Sequence, residues 1–334
     1  MPRMNGTEPK IEIFKPFGEA FELMKKVLFQ PFDFKKWLVV GFAAFLAEHF
    51  GGGGFSFPSP SRNFSFQPSQ AASPPNLEQW KPWLPIAVPG FIILVLIVIV
   101  LFLWLKARGN FVFTDCIVRN RAAIVSPWRE YRKEGNSYFG FILAVGFGSM
   151  IVFATVFVLF AALDLPGFIR GEPTLIITIG LFVVLFLLLL LFVVVLNVVT
   201  YFMPLVMYRQ RCSAVDAFRE VLRLVTDNVG VFILFCLFGF VLLLAVIMIG
   251  AIVSCLTCCI AAIPYVGTVI LLPVFVLLRS FSLLFLRQFG PEYDVWANSV
   301  PPEFLPILSL GSPAPPPSTS ALNPPPEPPL PSAG

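Results

Sequence analysis

The chain has 334 residues, of which 57% are hydrophobic and 13% charged. That is about half the charge of an ordinary soluble domain. Its mean hydropathy is +0.85, and it carries 38 Phe against a single His. This balance excludes a secreted disulfide scaffold, a disordered chain and an ordinary soluble enzyme, and several apolar runs reach the roughly 20 residues that cross a bilayer.

The first 36 residues are polar and punctuated by Lys and Glu, so no cleavable signal peptide is expected. Within them, Phe17, Ala20, Phe21, Met24, Val27 and Leu28 recur at helical spacing, while Lys15, Glu19, Glu22, Lys25 and Lys26 fall mostly elsewhere. This predicts an amphipathic helix lying in the membrane interface. A first, short span is expected over Trp37–Phe50. Residues 51–84 begin with four glycines and continue in Ser and Pro, the composition of a flexible external loop. A second span is expected over Pro85–Leu105, a third over Tyr138–Leu163, and a fourth from Thr174 to about Tyr208. The fourth is longer than a bilayer needs, so its end must tilt or protrude. Interfacial helices should precede the third and fifth spans. Ser126-Pro127 offers a start signal for one, and Ser213, three residues before Asp216, for the other. In the latter, Ala214, Phe218, Val221, Leu222 and Val225 share a face. A fifth span is expected over Val229–Ile252 and a sixth over Tyr265–Phe289, containing Pro273 and Arg279.

The fold class is therefore all-α: a polytopic membrane helix bundle of about six transmembrane helices with three cytoplasmic interfacial amphipathic helices. Its expected parts are an N-terminal segment (1–36), a first hairpin (37–105), a second unit (106–208), a third unit (209–289) and a Pro-rich, extended, disordered tail (290–334). Basic residues set the orientation. Seven Lys and Arg lie in 1–36, seven in 106–137 and four in 207–227, against two, one and none in 51–84, 164–173 and 253–264. Both termini are thus expected on the cytoplasmic side of a cytoplasmic (inner) membrane.

The units repeat. At an offset of 90, Arg119, Arg121, Val125, Arg129 and Glu130 match Arg209, Arg211, Val215, Arg219 and Glu220, and Trp128 pairs with Phe218. A fainter copy aligns Pro16-Phe17-Gly18-Glu19 with Pro127-Trp128-Arg129-Glu130. The basic collars at these repeats are read either as plain anchoring and packing or as contacts for anionic lipid headgroups, with Arg119, Arg121, Arg209 and Arg211 as the candidates.

Catalytic chemistry is hard to build from this composition. The one histidine, His49, follows Glu48 at the expected external end of the first span; the pair either titrates or binds a metal weakly, or simply marks the end of a helix at the water boundary. Cys255, Cys258 and Cys259 have a spacing that can bind a soft metal or enter redox exchange, but apolar neighbours favour simple packing. Arg279 and Asn197 are the candidate intramembrane polar residues; snorkelling of Arg279 to the cytoplasmic boundary and a helix-to-helix hydrogen bond from Asn197 are the simple accounts. The near absence of acids from the spans argues against ion-driven transport. No cofactor, metal or nucleic acid is implied. Membrane lipids are the expected partners, and the tail is a second contact surface for a protein.

The elements Trp128-Arg129-Glu130 with Asn136, and Phe218-Arg219-Glu220 with Asn228, resemble those of a group of uncharacterised bacterial multipass membrane proteins. They are also similar to the membrane domain found beside glycerophosphoryl diester phosphodiesterase domains. The resemblance covers most of residues 10–295, implies no catalytic residues, and leaves no room for the phosphodiesterase domain itself. The leading expectation is a non-enzymatic membrane scaffold or a lipid- or partner-binding module. The alternative is a permease or lipid transporter without ion coupling, with Asn197, Thr200, Arg279 and Ser282 lining its path.

Overall fold

The computed structural model describes residues 12–48, 84–170, 175–256 and 264–297. Among them the chain forms ten helices and no strand: α1 (Phe14–Phe29), α2 (Phe34–Glu48), α3 (Leu84–Val118), α4 (Val125–Glu130), α5 (Arg132–Arg170), α6 (Leu175–Gln210), α7 (Ala214–Asp227), α8 (Val229–Leu256), α9 (Pro264–Ile270) and α10 (Leu272–Arg287). Four are long and apolar enough to cross a membrane, over Ala87–Val118, Arg132–Ala162, Gly180–Gln210 and Val229–Val253. The chain is a multipass membrane protein.

The other two expected spans are not among these four. α2 has 15 residues, about 22 Å of helix against a hydrocarbon core of about 30 Å. The last run breaks at Leu271 into α9 and α10. Pro273 is the cause: it has no N–H for the carbonyl four residues back and its ring clashes there. That carbonyl, on Val269, accepts instead from the Trp37 indole N–H on α2 at 2.9 Å. α6 uses the same device. Pro204 lies inside it, and the freed Thr200 carbonyl accepts from the Tyr138 hydroxyl of α5 at 2.9 Å.

Several expected boundaries move. α3 runs to Val118 rather than stopping near Leu105, because Lys106, Arg108 and Asn110 are compatible with a helix and pack against neighbours. α5 carries on to Arg170, past the expected end of the third span at Leu163. α4 begins at Val125 with no side-chain cap, so Ser126 is not its cap; Ser213 does cap α7, accepting from the Asp216 N–H at 3.3 Å. Residues 290–297 belong to the packed body, with Tyr293, Asp294, Val295 and Trp296 buried; the apolar and aromatic side chains there outweigh the Pro-rich composition that follows. The loop 51–83 and the segment 298–334 lie outside the described residues.

Burial is concentrated at one end of the long helices. On α3 it runs from Ala107 to Val118, on α6 from Val199 to Tyr208, and it covers most of α10. The other halves of α3, α5 and α6, and much of α8, are apolar and exposed. Acyl chains are as apolar as these side chains, so such arms need no protein cover in a bilayer. In the packed head, α2 lays Gly41, Ala43, Ala44 and Ala47 against its neighbours. A Cβ on Gly109 of α3 would come within 2.7 Å of the Leu46 Cβ and 2.9 Å of the Ala47 nitrogen. The amphipathic helices cover the sides. α1 packs on α10, α4 on α3 and α7 on α6, so each docks beside the helix that ends a preceding unit, and α1 joins the chain's two ends. The buried face of α1 uses Leu23 where Phe21 was expected; Phe21 is exposed.

Gly109→Ala pushes a methyl group into backbone that cannot yield. It should destabilise the protein by about 1–3 kcal/mol, whereas Gly140→Ala, with open space around the site, should be neutral or better. Tyr138→Phe leaves the Thr200 carbonyl without a partner and should cost about 1–3 kcal/mol. Unfolding in mixed micelles measures all three.

Candidate functional site: a charged collar at the helix ends

The collar is built on Asp115, which is fully buried one turn before the end of α3. The chain then turns at Asn120, whose φ of 49° lies in the left-handed region that Asn tolerates, and the Arg121 N–H closes the helix on the Cys116 carbonyl at 3.2 Å. This turn folds two guanidiniums back onto the carboxylate. Arg119 Nε lies 3.1 Å from Asp115 Oδ1, and Arg121 Nη2 lies 2.9 Å from Oδ2. From α6, the Tyr208 hydroxyl donates to Oδ1 at 3.1 Å.

The end of α6 repeats the turn at Arg211, with φ 54°. Arg211 pairs with Glu130, lies 3.4 Å from Glu134 and stacks 3.7 Å above the Tyr131 ring. These partners hold a long side chain at a backbone conformation that L residues rarely adopt. Arg119 reaches the same Glu130 at 2.9 Å. Phe111, Tyr131 and Tyr208 stack beneath, at 5.8 and 4.8 Å between centroids. Three carboxylates thus meet three guanidiniums across α3, α4, α5 and α6. Burial by itself raises the Glu130 carboxyl, but the hydrogen bonds and charges of Arg119 and Arg211 outweigh it and hold that carboxyl below its ordinary value.

Of the four arginines expected to meet headgroups, Arg119, Arg121 and Arg211 are therefore engaged with acids, each with about a third of its side chain exposed. Arg209 is half-buried, and its Nε has no partner. The repeat motif itself divides its labour. The aromatic residue packs inward: Trp128 against Trp104 at 5.7 Å, Phe218 against Phe141 at 5.1 Å. The acid accepts from a segment that follows a span: Glu130 from Arg119 and Arg211, Glu220 from the Tyr293 hydroxyl. The arginine between them, Arg129 or Arg219, is exposed. Arg132 and Lys133 at the start of α5 and Arg223 on α7 are exposed as well, and none of these five pairs with a described acid. Charge counting missed them because it does not tell a paired arginine from an unpaired one; the Arg129–Arg219 identity in the repeat was the available signal.

The intramembrane candidates separate. Arg279 is buried and does not snorkel: its Nη2 donates to the Asn110 side-chain and main-chain oxygens at 2.7 and 3.2 Å. Asn197 is exposed and donates to the Val193 carbonyl of its own helix at 2.9 Å, not to a neighbouring helix. Thr200 bonds the Leu196 carbonyl of its own helix, and Ser282 bonds the Tyr201 hydroxyl. Cys255 is exposed; His49, Cys258 and Cys259 lie outside the described residues. Behind the collar, Arg287 and Asp294 form a buried pair at 3.0 Å.

Glu130→Gln removes the acid shared by two arginines. With the groups a third exposed, solvent screening limits the expected loss to about 1–2 kcal/mol. Because the folded carboxyl sits below its unfolded value of about 4.3, its contribution is present above that pH and lost as pH falls through the folded value. Acidification from about pH 5 to pH 3 should therefore destabilise the wild type more than Glu130→Gln, as read by unfolding in mixed micelles across that range.

No curated protein and no solved structure matches the chain. A family model does, over residues 12–287, which run from the start of α1 to the end of α10 and include the whole charged collar. The chain belongs to this family of unknown function, DUF7544.

Proposed function

We propose that this protein is a non-enzymatic scaffold of the cytoplasmic membrane whose collar binds anionic lipid headgroups. One observation carries the reading: the repeated aromatic-Arg-Glu motif buries its aromatic and engages its acid, yet leaves Arg129 and Arg219 exposed and unpaired at the same end of the bundle. A cation near an anionic leaflet contributes about 1 kcal/mol. Arg119, Arg121, Arg209 and Arg211 add to the local field, but their chief partners are acids of the collar. In this reading α2 and the α9–α10 run complete six crossings, both termini face the cytoplasm, and the Pro-rich tail offers a protein contact. The likeness to the membrane domain beside glycerophosphoryl diester phosphodiesterases supports a lipid-associated role. The transporter alternative has less support, since Asn197 bonds the carbonyl of its own helix and Arg279 is buried on Asn110.

The test is the association of spin-labelled anionic and zwitterionic lipids with reconstituted protein. Replacing Arg129, Arg132, Lys133, Arg219 and Arg223 by Gln should reduce the preference for anionic lipid at least about fivefold, the effect of about 1 kcal/mol. An unchanged preference overturns the headgroup reading and leaves the collar as a topology and packing element.

A further inference from the structure

The helix-to-helix hydrogen bond expected of Asn197 is not made within the chain. Other polar side chains on the arms are self-sufficient. Ser149 and Thr155 on α5 each give their one hydroxyl hydrogen to a carbonyl of their own helix, Gly146 at 2.9 Å and Ile151 at 2.8 Å. A carboxamide needs more, having two N–H donors and an acceptor oxygen. Asn197 gives one N–H to the Val193 carbonyl at 2.9 Å. Among the described residues, no hydrogen bond reaches its second N–H or its Oδ1.

The surroundings supply no water in place of these bonds. Residues 175–208 hold no charged side chain, and Arg209 lies about 18 Å further along the helix. A carboxamide facing hydrocarbon there keeps its open donor and acceptor at a cost until a partner fills them.

The position of Asn197 indicates the partner. From Val193 to Tyr201, only Val194 and Asn197 are exposed; the rest of the stretch is at least half-buried. The exposed face continues along α6 through Leu190, Leu187 and Val183, all of them exposed. These five residues alternate in steps of three and four, the register in which one helix packs along another. The seam is apolar except for Asn197 near one end. What Asn197 leaves open is one donor and one acceptor, and an identical carboxamide fills both. Two copies of the chain inserted in the same sense are related by a two-fold axis along the membrane normal, which sets α6 parallel to its mate and Asn197 opposite Asn197. An acyl chain offers neither group.

We propose that the protein is a homodimer in the membrane, formed by the exposed seam of α6, with the two Asn197 carboxamides hydrogen-bonded to each other across the axis. The interface is separate from the collar and does not rest on its binding of headgroups.

The experiment uses the full chain, with a donor or an acceptor dye on an N-terminal tag, in vesicles of phosphatidylcholine and phosphatidylglycerol. Energy transfer is followed as the protein-to-lipid ratio rises. The wild type should follow a saturating monomer–dimer curve. Asn197→Val should need at least about fivefold higher density for half-saturation, the share of the lost interhelical hydrogen bonds. Its unfolding in mixed micelles, at a dilution where the chain is monomeric, should match the wild type, because the side chain bonds no other helix of the chain. Asn197→Gln keeps a carboxamide and should associate nearly as the wild type does. Thr155→Val removes a polar side chain from another arm and should leave the curve in place. Wild-type transfer no greater than random crowding gives, an Asn197→Val curve that overlies the wild type, an Asn197→Gln curve no better than that of Asn197→Val, or an equal loss in Thr155→Val each overturns the proposal.

Discussion

A polar group inside a bilayer has no water to fall back on, so each one must find a partner in the protein or be held at a cost. Most features of this structure follow from that constraint. At Pro204 and Pro273 the backbone ladder is interrupted, and each freed carbonyl is met by an aromatic donor from a neighbouring helix, Tyr138 in one case and Trp37 in the other. These bonds tie α2 to α9 and α5 to α6, so a local break in one helix becomes a contact between two. Asp115 obeys the same rule. A fully buried carboxylate near a helix end collects two guanidiniums and a tyrosine hydroxyl, and the turn after α3 takes the shape that permits it.

The constraint also divides the molecule. Where polar side chains enter the helices, the helices pack closely, with Gly109 letting two backbones touch. Where the helices are purely apolar, they stand exposed as arms. The head holds the polar network and the small residues, and the arms face acyl chains. Arg279 lies in the head near the base of the arms, where the polar and apolar regimes meet. That position distinguishes it from Arg287, which is buried with an acid of its own.

The repeat gives the head its order. Each amphipathic helix lies on the helix that ends a preceding unit, and α1 completes the pattern by docking on α10, with Gln288 exchanging hydrogen bonds with the backbone of Glu12. The closure explains why α1 carries the strongest departure from the motif. Its copy has Gly18 where the others have Arg129 and Arg219, and its Phe17 packs against Phe238 and Phe281. This copy serves the joint between the chain's ends more than the charged surface.

Much of the helical content was legible in the sequence, because apolar runs, basic flanks and a 3.6-residue period are local properties. The four long spans, the amphipathic faces of α1 and α7, and the Ser213 cap follow from short stretches read by themselves. The ends of α3 and α5 did not, since a charged stretch stays helical when neighbours satisfy it. The break at Pro273, the folded segment 290–297 and the pairing of Arg119, Arg121 and Arg211 also needed the tertiary structure. The sequence by itself determined a basic, repeated, membrane-embedded helical protein. Only the tertiary structure decided which arginines are spent on acids, which face outward and which are buried, because ion pairing depends on distances between residues far apart in the chain.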